Sequence, residues 1–206
     1  MLVTFEGIDG CGKSTQAALF RDHLSAKGAE TALTHEPGDG GDIGRAIRKT
    51  ILLERMKDID PLAELFLFCA DRVHHVETVI RPALEQGKTV ISDRFFDSTV
   101  AYQGYGRGID IDFAAAAARR SALGVEPAIT FFLDAPVEVC LRRLENRRGE
   151  GADRMDREAG EFYGRIREGF IAEAEKQPRR IKVIDARGEE RETHGKVVAA
   201  FERADV

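Results

Sequence analysis

The segment that most restricts the fold is Gly7-Ile8-Asp9-Gly10-Cys11-Gly12-Lys13-Ser14, which fits the Walker A pattern at every fixed position. It stands directly after Leu2 to Glu6, a short apolar run that reads as a strand, and directly before a segment with helical patterning. Its glycines let backbone N–H groups curl around an anion, and the helix beginning near Lys13 adds its positive end. Lys13 then reaches the outer phosphates of a nucleotide and Ser14 holds Mg²⁺, so Gly7 to Thr15 is the expected ATP phosphate site. Asp9 needs a separate reason, because a carboxylate beside a triphosphate is repelled unless it has another partner. A sugar hydroxyl or a metal-bound water could be that partner, or Asp9 could simply stabilise the turn.

Further apolar runs at Glu30 to Thr34, Thr89 to Asp93, Ala128 to Leu133 and Ile181 to Ile184 alternate with helical segments. That alternation predicts an α/β fold of three layers, with a five-stranded parallel sheet flanked by helices. With 206 residues, no repeat and no break in composition, residues 1–206 read as one domain. Asn146-Arg147-Arg148-Gly149-Glu150-Gly151-Ala152-Asp153-Arg154 stands apart as a charged, glycine-containing, apolar-poor stretch. Either it is an ordinary solvated loop or it belongs to a short lid over about 146–157.

A balance of 31 Lys+Arg against 36 Asp+Glu gives net charge −5, which suits a protein poorly for neutralising a polymer of phosphates. No nucleic-acid partner is expected; a small phosphorylated ligand needs only a few converging arginines. Cys11, Cys69 and Cys140 are widely spaced and form no Cys-x-x-Cys pair, which fits a reducing cytoplasm. No basic region precedes a long apolar run, so neither export nor a membrane partner is expected.

Thr89-Val90-Ile91-Ser92-Asp93-Arg94 carries an Asp-Arg pair to the carboxyl end of a strand, where open α/β sheets place ligands. Asp93 is suited to act on Mg²⁺ through water and Arg94 to grip phosphate with its planar fork, unless the two simply form a structural ion pair. Phe66, Phe68, Arg72 and His75 fall in one helical pattern that begins after Pro61. Phe68 and Arg72 share a face at i and i+4, so a ring could stack on a flat ligand while the guanidinium reaches its edge. On pattern alone, Phe at such a site is more often core and Arg more often a surface charge.

Taken together, the loop Gly7 to Ser14, His35-Glu36-Pro37-Gly38, Phe68-Cys69-Ala70-Asp71-Arg72, Asp93-Arg94-Phe95, Ser98-Thr99-Val100-Ala101-Tyr102-Gln103-Gly104 and Asp153-Arg154-Met155-Asp156 resemble the bacterial thymidylate kinases over nearly the whole chain. The resemblance implies transfer of phosphate from ATP to dTMP, giving ADP and dTDP, with Mg²⁺ as cofactor, in a homodimer built on helices. It implies that Phe68 stacks on thymine while Arg72, Thr99 and Gln103 address the polar edge of the base. Arg48 and Arg94 would hold the acceptor phosphate, Tyr102 would lie against the deoxyribose, and Asp9 near the 3′ side of the sugar. Arg143, Arg147, Arg148 and Arg154 fall in the lid region. Arg143 would serve ATP; Arg147 and Arg148 would join Lys13 and Arg94 around the transferring group. Position 35 is His where similar enzymes often carry Arg, and position 95 is Phe where Tyr or His often follows the Asp-Arg pair. The fourth loop position is Gly10, not Arg, matching the branch whose cationic group comes from the lid.

Two other readings compete. The same scaffold serves adenylate and uridylate kinases, against which the Ser98 to Gly104 segment argues. A nucleotide-binding switch is the other, and it lacks support from an Asn-Lys-x-Asp guanine signature.

Overall fold

The computed structural model describes residues 1–51, 59–148 and 154–204. At its centre Leu2-Val3-Thr4-Phe5-Glu6 forms β1 (Leu2–Glu6), every side chain of which is buried. The strand has no solvent face because its sheet is parallel and covered on both sides. The strand order is β2-β3-β1-β4-β5, with β2 (Thr31–His35), β3 (Thr89–Asp93), β4 (Ile129–Asp134) and β5 (Ile181–Asp185). Each strand lies within one residue of the run expected from the sequence. The helices in chain order are α1 (Lys13–Ala26), α2 (Gly41–Ile51), α3 (Pro61–His75), α4 (Arg81–Glu85), α5 (Phe96–Thr99), α6 (Ile111–Ser121), α7 (Val137–Arg148), α8 (Arg154–Lys176) and α9 (Glu190–Glu202).

Alternation along β1 divides the core. Val3 and Phe5 point to one face, where Phe5 meets Phe20 of α1 at 5.8 Å and Phe131 of β4 at 5.2 Å between ring centroids. Phe20 also lies 5.0 Å from Phe201, which pins α9 against α1. Leu2, Thr4 and Glu6 point to the other face. Leu2 joins Val76, Ile80, Phe95 and Val100 in a second apolar cluster. Thr4 exchanges a 2.7 Å hydrogen bond with Thr130. Glu6, at the end of the strand, is left among polar groups.

Two local features aim side chains at one crevice. Asp60 accepts from the N–H of Leu62 at 2.8 Å and Pro61 opens the first turn, so α3 begins where sequence chemistry demands. Its inward stripe is Glu64, Phe68, Arg72 and His75, spaced as one helical face; Phe68 is half-buried and the other three are buried. The second feature is a π-helical stretch, Val100–Gly106, that continues α5 with wider turns. It lies against α8 so closely that a Cβ at Gly106 would sit 2.9 Å from the Phe162 ring.

Candidate active site

Parallel pairing sets the ends of β1 and β3 side by side, with Phe5 opposite Asp93. The loop Gly7 to Gly12 and the turn Asp93–Arg94 therefore leave the sheet together, at its carboxyl edge. Ser14 donates to Asp93 Oδ2 across that gap. Lys13 is buried, with Nζ donating to Ile8 O at 2.9 Å, so its ammonium is folded over the loop it serves. Gly12 caps α1 with no side-chain bond, which leaves the first-turn N–H groups open to an anion. Gly10 has φ +84°, and a Cβ there would lie 2.2 Å from the carbonyl oxygen of Cys140 in α7. That contact explains why no arginine occupies the fourth loop position: no side chain fits.

Arg94 is the hub. It is a non-glycine residue at φ +74°, a conformation that persists only when the surroundings over-determine it. NH1 donates to Gly7 O and to Ser98 Oγ, each at 3.0 Å. NH2 donates to Asp9 Oδ1 at 2.6 Å and to the Tyr102 hydroxyl at 2.9 Å, and the guanidinium lies 4.8 Å over the Tyr102 ring. Asp9 also accepts from the Tyr163 hydroxyl at 2.9 Å. Burial alone would raise the Asp9 carboxyl, but Arg94, Lys13 and Tyr163 together hold it well below the usual range. Asp9 is thus a charge already partnered, which resolves how it can stand beside a triphosphate. Burial pushes the Tyr102 phenol well up, so it stays a neutral hydroxyl.

Beneath Arg94 lies a fully buried carboxyl. Glu6 Oε1 accepts from the N–H of Phe95 at 2.7 Å and of Ser98 at 3.3 Å, while Oε2 is 2.5 Å from Ser98 Oγ. Burial and the nearby Asp97 push Glu6 up to about 8, with Ser98 and Arg94 pulling the other way. Asp97 is itself fixed by a two-pronged bond from Arg180, at 2.7 Å on each oxygen.

Arg72 is 2% exposed, not a surface charge. Nε donates to Glu36 at 2.9 Å, NH1 to Ser121 at 3.2 Å, and NH2 to Thr99 Oγ1 at 2.8 Å and Phe95 O at 3.3 Å. His75 Nδ1 bonds the other Glu36 oxygen at 3.0 Å and its Nε2 meets Thr34 at 2.6 Å. Gln103 Nε2 donates to Glu64 at 2.8 Å. Arg48 donates to Pro37 O at 2.6 Å and packs on Gly38. Arg143 donates to the carbonyls of Ala186, Arg187 and Gly188 at 3.0–3.2 Å. Of the two unusual positions, His35 stands apart from these groups, while Phe95 lies under the Arg72 guanidinium, which is 5.6 Å from the ring centroid. His35 is half-exposed, 3.6 Å from Asp39, and the Phe95 ring is core while its backbone N–H and C=O carry the contacts.

Of the expected lid of about 146–157, residues 146–148 end α7 and 154–157 open α8, while residues 149–153 and the Arg147, Arg148 and Arg154 side chains lie outside the described residues. Glu6, Glu36, Glu64, Asp97, Tyr163 and Arg180 were not singled out as functional from the sequence. Glu64 had a readable signal, four residues before Phe68 and eight before Arg72 on one helical face. Tyr163 had none, since an aromatic in an amphipathic helix reads as core.

Asp93 Oδ1 is buried and has no hydrogen-bond partner among the described residues, while Oδ2 already bonds the Ser14 hydroxyl. An acceptor of this kind beside a hydroxyl suits Mg²⁺ and its waters.

A Walker A loop opposed by a strand-end Asp-Arg pair, on a parallel sheet of this order, defines the P-loop nucleoside-monophosphate kinase class. The model of the thymidylate kinase family matches residues 5–197. Thymidylate kinase of Chlorobaculum parvum is 45% identical over 213 residues, covering 100% of this chain and 97% of its own. That of Desulfovibrio desulfuricans is 47% identical over 191 residues, covering 90% and 88%. The crystal structure of thymidylate kinase from Ehrlichia chaffeensis superposes with TM-score 0.80 at 35% identity, covering 98% of each chain. The chain belongs to the thymidylate kinase family.

The Glu6 carboxyl makes stability depend on pH. Its pKa is raised from 4.5 to about 8 on folding, so the native state retains a proton that the unfolded chain releases. Its contribution is fully present below about 4.5 and declines as pH rises toward 8. Urea unfolding from pH 5 to 8 should show a steeper loss of stability in wild type than in Glu6→Gln, and equal slopes would contradict the assignment.

Proposed function

We propose that this chain transfers the terminal phosphoryl group of ATP to dTMP, giving ADP and dTDP, in the crevice between the Walker A loop and the Asp93–Arg94 turn. The observation that carries the reading is the convergence, in a member of this family, of Lys13 and Ser14 on one side with Arg94 on the other, bridged by the Ser14–Asp93 bond.

The donor phosphates would lie in the Gly7 to Thr15 loop under Lys13. Ser14 and Asp93 would hold Mg²⁺, which when bound supplies positive charge to the donor phosphates. Arg94 and Arg48 would receive the acceptor phosphate, with Arg94 exchanging part of its bond to Asp9 for that anion. The acceptor oxygen is already ionised at neutral pH, so positioning and charge stabilisation carry the reaction and no base is required. Arg143, on the wall formed by residues 186–188, fits the nucleoside side of ATP. Arg147 and Arg148, from the lid, would add positive charge as transfer proceeds, a role that Gly10 cannot fill.

Thymine would stack on Phe68. Of the five N–H groups of Arg72, four are engaged among the described residues, and one on NH1 would donate to the O4 carbonyl. Thr99 is buried and accepts from Arg72 NH2 at 2.8 Å, so it would address the base through that arginine. Tyr102, stacked under Arg94, would lie where a ribonucleotide carries its 2′-hydroxyl.

Two coarser features accompany this reading. Ile43 of α2, Leu62 and Phe66 of α3 and Phe113 of α6 are exposed apolar side chains on neighbouring helices, which supports a homodimer across that face. A monomer mass in sedimentation at micromolar concentration would contradict it. No helix among the described residues is long and apolar enough to cross a membrane, and Cys11, Cys69 and Cys140 are all free, which supports a cytoplasmic location.

The test is a coupled assay of ADP release with dTMP, AMP and UMP as acceptors, where dTMP should dominate. Lys13→Ala should lower kcat/KM by roughly 10²–10³-fold, the scale of one lost charge contact to a developing anion, with an unchanged melting temperature. A variant with near-normal turnover would refute the assignment.

A further inference from the structure

Glu64 has no assigned role, yet it is the partner that decides which way Gln103 faces. It sits in the first turn of α3, 8% exposed, at the head of the face that carries Phe68 and Arg72. Its Oε1 accepts from Gln103 Nε2 at 2.8 Å and from Arg107 Nε at 3.2 Å, and its Oε2 accepts from Arg107 NH2 at 2.9 Å. Arg107 is in turn held 4.9 Å over the Phe162 ring of α8, so the carboxylate is fixed from two elements. A primary amide has two ends that differ only in chemistry, one donating and one accepting. A carboxylate that accepts from Arg107 on both oxygens has no proton to offer, so only the NH₂ end of Gln103 can turn toward it. The reverse orientation would set two acceptors face to face in a buried position. Gln103 Oε1 is therefore turned the other way, and it makes no hydrogen bond among the described residues and is not an enclosed unsatisfied atom.

We infer that Glu64 is a positioning residue for base selection: by holding the amide of Gln103 in one orientation it presents an acceptor, Oε1, to the N3–H of the acceptor base. The inference rests on the reading above in which Gln103 addresses the polar edge of thymine. Arg72 then offers a donor to O4 and Gln103 an acceptor to N3–H. Cytosine reverses both groups, with an acceptor at N3 and an amino donor at position 4, and is rejected twice. Uracil carries the same N3–H and O4 as thymine, so Glu64 does not separate those two.

The test measures kcat/KM for dTMP, dUMP and dCMP in wild type, Glu64→Gln, Glu64→Leu and Gln103→Ala, with melting temperatures alongside. Gln at 64 can accept or donate and so frees the amide to flip. The preference for dTMP over dCMP should fall by about 10-fold or more, the scale of one mispaired buried polar contact, while the preference for dTMP over dUMP changes by less than about 2-fold. Glu64→Leu, of similar size and without polar atoms, should give the same pattern and serves if the isosteric variant folds poorly. An equal change in both preferences would mean general loosening of the pocket and would overturn the inference. If Gln103→Ala lowers the dTMP:dCMP preference and neither Glu64 variant does, Gln103 reads the base without Glu64 and the inference fails while the pocket reading stands. If no variant moves it, the placement of Gln103 at the base edge fails as well.

Discussion

The site depends on one residue held in an unfavourable backbone conformation. Arg94 sits at φ +74°, where an L-residue with a side chain is disfavoured by roughly 1–3 kcal/mol. Its own N–H donates to Phe5 O at 2.9 Å, its neighbour Phe95 is held by Glu6, and its guanidinium joins Gly7, Asp9, Ser98 and Tyr102. These bonds tie the end of β1 to the turn after β3. The Walker A loop and Arg94 are therefore tied into one unit, which in the proposed reading would hold the donor and acceptor phosphates at a preset separation.

Around that unit, buried charges are arranged in tethered pairs. Arg72 is paired with Glu36 and Arg180 with Asp97, while Arg107, itself exposed, reaches in to the buried Glu64. Desolvating such pairs offsets much of their Coulombic attraction, so they add little net stability compared with apolar packing of the same volume. What they provide is direction. Each guanidinium has a fixed azimuth, and each carboxylate is spoken for, so few donors are left to turn toward the wrong ligand. The apolar clusters around Phe5, Phe20 and Phe131 on one face, and Leu2, Ile80 and Val100 on the other, supply the stability that tolerates this polar layer.

Much of this was legible in the sequence because it is local. The glycine-rich loop between a strand and a helix, the short apolar strands and the Asp-Arg pair at a strand end each declare themselves within a few residues. The five strands follow from apolar runs whose β-branched and aromatic residues leave little choice. Glu6 was hidden because it reads as the polar end of a strand; its depth comes from the covering α5, a contact across 89 residues or more. The pairings of Glu36 with Arg72, of Glu64 with Gln103 and of Asp97 with Arg180 are likewise long-range, and nothing in the local pattern announces them. The π-helical stretch Val100–Gly106 had no signature of its own either, since its wide turns are set by the packing of α8 against Gly106.

In the proposed reading the fixed fork of Arg94, and not merely its charge, places the acceptor phosphate. The most direct measurement is steady-state transfer of phosphate from labelled ATP to dTMP by wild type and Arg94→Lys. Lysine keeps the charge but loses the planar pair of donors that reaches Gly7, Ser98, Asp9 and Tyr102 together. For Arg94→Lys, kcat/KM for dTMP should fall about 10²-fold or more, as expected when a positioned charge contact is lost, with the KM for ATP nearly unchanged. Near-normal transfer to dTMP by Arg94→Lys would contradict it.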